Sequence, residues 1–138
     1  MAKLPNSYVF PAVFFEDEED RGMYNVRFPD LPNCFTSCKT LAEAIEQAPR
    51  VMGDILYMAE KEDRAIPVPT AREAVELEPG EMCQLVAVYM PPVRRAWSRK
   101  AVRKTLTIPA YLADLAEQAG GNYSQLLQQA LKQEFQVQ

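Results

Sequence analysis

The sequence predicts an α+β protein with two units: a small antiparallel sheet packed on one helix, followed by a short strand and two short helices. Three observations support this prediction. Apolar runs of strand length alternate with charged turns before Thr40, a long helical pattern begins at Thr40 and continues to Lys61, and a block of basic residues follows Pro91-Pro92. A length of 138 residues suits one ordinary domain or two small ones. With 48% hydrophobic and 25% charged residues, the composition is typical of a globular protein.

The first elements of the N-terminal unit are strands. Tyr8–Phe15 is apolar, and Pro11 within it favours an edge position or a bulge, because proline lacks a backbone donor. A charged turn over 16–22 leads to Met23–Phe28, whose alternation of residue types predicts a hairpin with the first strand. A short third strand is expected in the segment that ends before Thr40.

A long amphipathic helix is expected to follow. Thr40 is the N-cap of a capping box, in which Glu43 reaches back to the start of the helix. Pro49 lies inside the helical pattern and predicts a kink or a break there. After the helix, Ile66–Thr70 is expected to be extended, and Cys83–Met90 predicts a buried final strand.

The net charge of −4 is unevenly distributed along the chain. Residues 1–90 carry eight basic and sixteen acidic side chains, a net of −8, whereas residues 91–104 carry six basic side chains and no acid. Residues 105–138 contribute a net of −2. Because proline pairs stiffen linkers, we expect a unit over 1–90, a basic linker over 91–100 and a second unit over 101–138. Taken alone, the basic block is equally compatible with a solvated loop.

The C-terminal unit combines one strand with two helices. Residues 103–108 alternate and end at Pro109, which suits the first turn of a helix. Gly120-Gly121 ends that helix, and Asn122 is a good N-cap for the next one. Because a unit of about 40 residues is too small to bury a core alone, we expect two copies to pair, strand against strand, over four helices. The outward face of the two-stranded ribbon then consists of Arg103, Thr105 and Thr107.

Residues 102–135 resemble a ribbon-helix-helix DNA-binding domain. The pattern R-x-T-L-T-I-P over 103–109 and the helix start N-Y-S over 122–124 carry the resemblance. It implies that the outward side chains of the ribbon read base edges in the major groove, that the start of the second helix holds a phosphate, and that the basic block adds phosphate contacts. The side chains that read bases are Arg103, Thr105 and Thr107. The helix start that holds a phosphate is formed by Asn122, Tyr123 and Ser124. The basic residues that add phosphate contacts are Arg94, Arg95, Arg99 and Lys100. The alternative is an exposed edge strand with ordinary polar residues.

The N-terminal unit is similar to the HicB family of antitoxins over nearly all of residues 7–90. The segment F-P-D-L-P-N-C from Phe28, followed by T-L-A-E-A from Thr40, is its most specific part. The family usually has glycine in place of Asn33, and asparagine is the next-best residue for a left-handed backbone conformation. Pro49, inside the predicted helix, is a second departure from the family's sequence pattern. The resemblance implies a partial RNase H-like fold for this unit. It also implies a HicA-type toxin as partner, a ribonuclease whose activity depends on a histidine. The C-terminal unit would repress the toxin–antitoxin operon.

The residue inventory limits catalytic and metal sites. The chain has no histidine, which excludes a Ser-His-Asp triad and every zinc site that contains histidine. A two-metal nuclease needs several carboxylates that converge on the metal ions. We expect the carboxylates of this chain to lie in turns or on the surface instead. These candidates are Asp17, Asp20, Asp30, Asp54 and Glu60. We expect the three cysteines, Cys34, Cys38 and Cys83, to be buried reduced thiols rather than zinc ligands. Trp97 is expected to anchor the linker on one domain rather than to stack on a base.

The sequence therefore predicts an antitoxin that is not an enzyme and has no catalytic residue, metal or cofactor. Its expected partners are a HicA-like mRNA-cleaving toxin, operator double-stranded DNA and a second copy of itself, with a tetramer left open. A second hypothesis is a solitary ribbon-helix-helix regulator whose N-terminal domain binds a ligand or another protein. The start of the chain lacks the apolar region of a signal peptide and no run has the length of a membrane span, so we expect a cytoplasmic protein.

Overall fold

The computed structural model describes residues 3–137, which form two compact units with the boundary between Lys100 and Ala101. The elements of the N-terminal unit are β1 (Ser7–Glu16), β2 (Tyr24–Arg27), β3 (Phe35–Cys38), α1 (Leu41–Lys61), a 3₁₀ turn (Arg72–Ala74), β4 (Met82–Tyr89) and α2 (Met90–Ser98). Those of the C-terminal unit are α3 (Ala110–Gln118) and α4 (Tyr123–Glu134). The predicted α+β class is confirmed. None of the helices within residues 3–137 is long and apolar enough to cross a membrane.

The four strands form one antiparallel sheet in the order β3-β2-β1-β4. β1 pairs with β2 through a register that places Val13 opposite Arg27, and with β4 through one that places Val13 opposite Cys83. The predicted hairpin and short third strand are therefore confirmed. Asn33, in the turn before β3, has a φ of 60°, so asparagine takes the left-handed conformation expected at this position.

Pro11 lies in a central strand, where proline normally costs a hydrogen bond of the sheet. The N–H of Met90 donates to the carbonyl of Asn6 at 2.7 Å, so the even-numbered residues of β1 form the hydrogen-bonded pairs with β4. The odd-numbered residues of β1 therefore direct their backbone groups towards β2, whose pairing begins only at Val13. Because the nitrogen of Pro11 faces past the end of β2, the sheet loses no hydrogen bond there.

α1 covers one face of the sheet and forms the core with it. The Thr40 hydroxyl accepts a hydrogen bond from the Glu43 N–H at 3.1 Å, and the Glu43 carboxylate accepts one from the Lys39 N–H at 3.2 Å, so the predicted cap is formed. The helix continues through Pro49, so of the kink or break expected there, the break does not occur. Met52, almost one turn later, is fully buried, and such packing offsets the hydrogen bond that proline removes. The residues that face α1 from the sheet are Phe10, Ala12, Phe14, Val26, Val86 and Val88.

The final strand, β4, is present as predicted, but it is an edge strand and is buried on one face only. Val86 and Val88 point into the core, whereas Leu85 and Tyr89 are 55% and 59% exposed on the opposite face. An apolar run without alternation does not reveal whether one or both faces are covered. Only the position of β4 at the end of the sheet decides that one face and one edge stay open.

The segment expected to be a basic linker forms α2 instead. Pro91 and Pro92 lie in its first turn, where the missing N–H groups would have no helical partner in any case. Met90 is fully buried, and Val93 packs against the core. The N-terminal unit therefore extends to Lys100, ten residues beyond the boundary expected from the sequence.

The C-terminal unit has its two helices in the expected places. α3 ends at Gln118, and Gly120 follows with a φ of 68°, which confirms the predicted helix end. Asn122 caps α4, because its side chain accepts a hydrogen bond from the Gln125 N–H at 3.2 Å. The described residues 101–109 form no strand in the single chain, since a strand needs a neighbour that satisfies its backbone groups.

Candidate functional site

An arginine–glutamate pair clamps α2 onto α1. Arg94 Nη2 lies 2.7 Å from Glu60 Oε2, and Arg94 Nε lies 3.0 Å from Glu60 Oε1, which is bidentate geometry. The hydroxyl of Tyr8 donates to Glu60 at 2.7 Å, and Arg94 also donates to the carbonyl of Pro5 at 2.7 Å. The Glu60 side chain is only 4% exposed. Arg94 is thus a structural residue of the N-terminal unit, which contradicts the phosphate contact expected of it.

The clamp shifts the pKa of each side chain in it. Burial raises the pKa of Glu60, but hydrogen bonds from Arg94 and Tyr8 outweigh burial and hold that pKa below its usual value of 4.5. Burial, together with the hydrogen bond to Glu60, raises the pKa of Tyr8 to about 12. The hydrogen bond to Glu60 raises the pKa of Arg94. Near neutral pH all three groups therefore keep the protonation states that the clamp requires.

Trp97 anchors the C-terminal end of α2. Its ring stacks on Tyr57 with ring centroids 5.6 Å apart, and its Nε1 donates to Asp54 Oδ1 at 2.8 Å. Lys100 Nζ lies 3.6 Å from the centroid of the same ring, a cation–π contact. The prediction that Trp97 anchors this segment on a domain is confirmed, and the domain is the N-terminal one.

The sequence prediction misses α2 although the sequence contains a signal for it. Met90, Val93 and Trp97 recur at spacings of three and four residues, as on one side of a helix. The proline pair that favours a linker is equally typical of the first turn of a helix. The clamp itself has no local signal, because Glu60 and Arg94 are brought together only by packing.

Two arginines of the basic block remain on the surface of the N-terminal unit. Arg95 and Arg99 are exposed, and neither side chain forms an ion pair within the part of the chain that the structure describes. Lys100 is exposed as well, with its ammonium group over the ring of Trp97. The phosphate contacts predicted for Arg95, Arg99 and Lys100 stay a prediction.

The residues predicted to contact DNA in the C-terminal unit are all exposed. They are Arg103, Thr105 and Thr107 in the segment before α3, and Asn122, Tyr123 and Ser124 at the start of α4. The side chain of Asn122 serves as the helix cap, and the hydroxyl of Tyr123 donates to the carbonyl of Ala113 at 3.3 Å, which ties α4 to α3. Their role in DNA binding stays a prediction.

The C-terminal unit exposes apolar side chains that a stable unit would bury. Among the described residues 101–137 none is buried, and Val102 and Leu106 are 71% and 61% exposed. The other exposed apolar residues include Ile108, Leu112, Leu115, Leu127, Leu131 and Phe135. Apolar surface of this extent marks an interaction site.

The carboxylates considered for a metal-dependent nuclease do not converge. No group of three or more metal-ligating side chains occurs among residues 3–137. Asp17 accepts a side-chain amide hydrogen bond and two backbone N–H bonds, which lower its pKa. Asp30 accepts from the N–H and the hydroxyl of Thr70, which holds the chain between α1 and β4. Asp54 and Glu60 anchor α2. Four of the five candidates therefore have structural hydrogen bonds of their own.

The three cysteines are free and buried, as predicted. Burial raises the pKa of Cys34 to about 12, so this group stays a protonated thiol at neutral pH. Cys34 and Cys38 pack in the core of the N-terminal unit.

Comparison with known proteins extends over both units. The sequence model of the HicB-like antitoxins of bacterial toxin–antitoxin systems matches residues 10–131. A chain of a toxin–antitoxin complex from Streptococcus pneumoniae superposes with a TM-score of 0.61 at 22% identity, covering 93% of this chain and 99% of that one. The antitoxin HicB of Burkholderia pseudomallei superposes with a TM-score of 0.52 at 18% identity, covering 93% and 96%. No curated protein sequence matches significantly. Because the family match covers most of the chain, this protein belongs to the HicB-like antitoxins of bacterial toxin–antitoxin systems.

Proposed function

We propose that this chain neutralises a HicA-like mRNA-cleaving toxin through its N-terminal unit and represses its own operon by binding operator DNA through its C-terminal unit. The observation that carries the proposal is a family match that spans both a complete sheet-and-helix unit and a second unit whose apolar surface is uncovered. The chain has no catalytic role in this proposal, and it acts in the cytoplasm, where messenger RNA and the operator are both accessible.

The toxin partner is supported by the neighbours and by charge. The Streptococcus pneumoniae chain comes from a toxin–antitoxin complex. With the boundary at Lys100, the N-terminal unit carries sixteen acidic and twelve basic side chains, and five of the acids follow one another over 16–20. A ribonuclease that holds RNA presents basic surface, and complementary fields speed association and favour the correct orientation.

The DNA-binding role begins with pairing of two C-terminal units. If two copies of the segment 101–109 pair antiparallel, each supplies the backbone partners that the other lacks. The apolar side chains Val102, Leu106 and Ile108 then face the helices and complete a common core. This pairing accounts for both the missing strand and the uncovered apolar surface, and it yields a homodimer.

The polar face of the paired strands would read the operator. Arg103 can donate two hydrogen bonds to a guanine edge, and Thr105 and Thr107 offer a hydroxyl together with a methyl group for thymine. At the start of α4, the backbone N–H groups of Tyr123 and Ser124 lie in the first turn, where no intrahelical acceptor exists, and suit a phosphate oxygen. Arg95 and Arg99 would add phosphate contacts without sequence preference.

Two assays on the same variants test this division of roles. Cells that express a HicA-like toxin from the same genome should resume growth when the chain is co-expressed, and the purified chain should shift DNA from its own promoter. Arg103→Ala should weaken the gel shift and keep the rescue, while the control Lys132→Ala should leave both unchanged. A wild-type chain that binds no promoter DNA, or a folded Arg103→Ala variant that fails to rescue growth, contradicts the proposal. Rescue failure by the wild type favours the solitary regulator.

A further inference from the structure

One part of the sheet carries uncovered side chains on the face turned away from α1. Val26 of β2 points into the core beneath α1, so alternation directs the odd-numbered residues of β2 to the opposite face. Their partners on β3 lie on that face too, because residues paired across two strands share one side of the sheet. We call this surface the β2–β3 face, and it consists of Asn25, Arg27, Phe35, Ser37 and the charged turn over 16–20.

Phe35 is the apolar residue of the β2–β3 face. It is 67% exposed, whereas the other phenylalanines of the N-terminal unit are buried or half-buried. Its cross-strand neighbour Arg27 is held by Glu81 at 3.1 Å and lies over the ring of Phe15, 5.7 Å from the ring centroid. An exposed aromatic ring among fixed neighbours suits the anchor of a protein interface, because little further ordering is needed when a partner covers it.

The strand that carries Phe35 is an outer edge of the sheet. The N–H of Phe28 donates to the carbonyl of Cys34, so the even-numbered residues of β3 bond to β2 and the odd-numbered ones face away. The backbone N–H and carbonyl groups of Phe35 and Ser37 therefore point outward. Within residues 3–137 no backbone–backbone hydrogen bond outside the sheet uses them. A partner that covers the aromatic ring thus finds backbone hydrogen-bonding groups beside it.

The charged turn over 16–20 is fixed at one end of the same face. The hydroxyl of Ser37 donates to Asn25 Oδ1 at 2.6 Å, and Asn25 Nδ2 donates to Asp17 Oδ2 at 3.0 Å, which joins β3 to the turn across β2. The last three acids of the turn are exposed. Among the described residues, none of its five acids forms an ion pair. The turn therefore presents concentrated negative charge to a partner that covers this face.

We infer that a HicA-like toxin docks on the β2–β3 face, with Phe35 buried in the contact and the basic surface of the toxin against the turn over 16–20. The inference rests on the proposed function, because it names the surface that meets the toxin proposed there. A toxin whose basic surface is covered in this way cannot hold RNA on that surface. The contact would therefore neutralise the toxin without any chemistry by this chain.

Charge favours a toxin over the other partners of this chain. DNA would bring phosphates to the acidic turn, and like charges repel. A second copy of the N-terminal unit, with sixteen acidic and twelve basic side chains, would also bring net negative charge. A protein that holds RNA brings the opposite charge, and complementary charge speeds association and suppresses wrong partners.

Titration of the full-length protein with a purified HicA-like toxin from the same genome tests the role of Phe35. Phe35→Ala should weaken toxin binding by about tenfold or more, because the anchor of the contact is removed. The matched control is Leu85→Ala on β4, at a residue that is 55% exposed on the same side of the sheet, and it should bind as the wild type does. Unchanged affinity in Phe35→Ala overturns the inference, and so does a loss confined to Leu85→Ala. Trp97 emission and promoter binding show that each variant is folded.

A pair of charge reversals tests the acidic turn. Glu18→Lys combined with Glu19→Lys leaves the side-chain hydrogen bonds of Asp17 in place. At low salt it should slow association with the toxin by about tenfold or more, and high salt should shrink the difference by screening. The control, Glu46→Lys combined with Glu62→Lys, makes the same change in net charge on α1 and at its C-cap, and it should slow association much less. Equal slowing by the two pairs contradicts the inference, since net charge alone would explain it.

These measurements separate a wrong surface from a wrong function. A wild-type chain that does not bind the toxin contradicts the proposed function and this inference together. Toxin binding that Phe35→Ala and the reversed turn both leave unchanged contradicts the surface alone. If Phe35→Ala weakens self-association of the full-length chain and leaves toxin binding unchanged, the face belongs to a second copy and the inference is wrong.

Discussion

Glu60 and Arg94 lie 34 positions apart in the sequence and form a bidentate ion pair with N–O distances of 2.7 and 3.0 Å. The pair fixes α2 on α1 and makes the basic segment part of the N-terminal unit. The exposed arginines of this segment, Arg95 and Arg99, therefore start from a rigid helix and not from a flexible linker. An N-terminal fragment that keeps the unit whole has to reach Lys100.

The Glu60–Arg94 pair should contribute measurably to stability. We expect Glu60→Gln to lower the free energy of unfolding by about 1.5–3 kcal/mol, because charge-assisted hydrogen bonds in a nearly buried site are lost. Urea unfolding followed by the fluorescence of Trp97, the single tryptophan, measures this change. The control is Glu62→Gln. Arg64 Nε lies 2.7 Å from Glu62 Oε2, a similar distance, but each of these two side chains is 58% exposed. The control should change stability by less than about 1 kcal/mol.

The docking of α2 should weaken at both ends of the pH scale. The pKa of Glu60 is lowered in the folded state, so its stabilisation is present above pH 4.5 and is lost as the pH falls below that value. The pKa of Tyr8 is raised from 10 to about 12, so its stabilisation is present below pH 10 and is lost as the pH rises towards 12. Trp97 emission measured as a function of pH should show two transitions, an acid limb from Glu60 and an alkaline limb from Tyr8. Glu60→Gln should remove the acid limb and Tyr8→Phe the alkaline one; an unchanged acid limb in Glu60→Gln would refute this assignment.

Salt dependence should distinguish two neighbouring arginines. Arg95 is exposed, and its change to alanine should reduce the slope of log affinity for DNA against log salt concentration by about 1. Arg94 is engaged by Glu60, so Arg94→Ala should leave that slope unchanged and lower stability instead. Gel-shift or anisotropy titrations at several salt concentrations provide the slopes. Equal slope changes in the two variants would show that both arginines contact phosphates.

Specific DNA recognition should depend on Arg103. We expect Arg103→Ala to weaken operator binding by about 1–3 kcal/mol, because a bidentate contact to a guanine is lost. Lys132→Ala is the matched control, a basic residue of the same unit on α4, and it should bind as the wild type does. Titrations with operator and unrelated DNA measure the loss of specificity. Unchanged operator affinity in Arg103→Ala would remove the ribbon from the proposed DNA interface.

Dimerisation of the C-terminal unit should depend on its exposed apolar surface. Leu131→Asp places a charge where the common core is expected, so it should abolish pairing of the C-terminal units and DNA binding together. Trp97 emission should stay unchanged, since the N-terminal unit is complete without this surface. Gln129→Asp, on another side of α4, should have neither effect. Chemical cross-linking between C-terminal units provides the readout, and cross-links that persist in Leu131→Asp would refute the pairing.

Much of the fold can be predicted from local patterns. The capping residues Thr40 and Asn122 and the helix end at Gly120 depend on neighbours within a few positions, so the sequence reveals them. The strands of the hairpin likewise follow from alternation. By contrast, a kink or a break is expected at Pro49, and the helix does not break there, because burial of neighbouring residues offsets one lost hydrogen bond. The prediction of a linker over 91–100 is wrong for a related reason. Proline is compatible with both a linker and a helix start, and only packing distinguishes them.

The sequence by itself determined the order of elements, the caps, the absence of histidine chemistry and the residues that resemble a DNA-reading ribbon, because each of these depends on residue identity or short spacing. The tertiary structure decided which charges are free. Arg94 forms an ion pair with Glu60, whereas Arg95 forms none within the described residues. The carboxylates considered for catalysis lie apart from one another, in separate structural contacts. It also decided which strand edge is open, since the direction of each backbone group follows from the register of β1 and β4. Such pairings join residues far apart in the chain, and their energies depend on geometry that no local pattern contains.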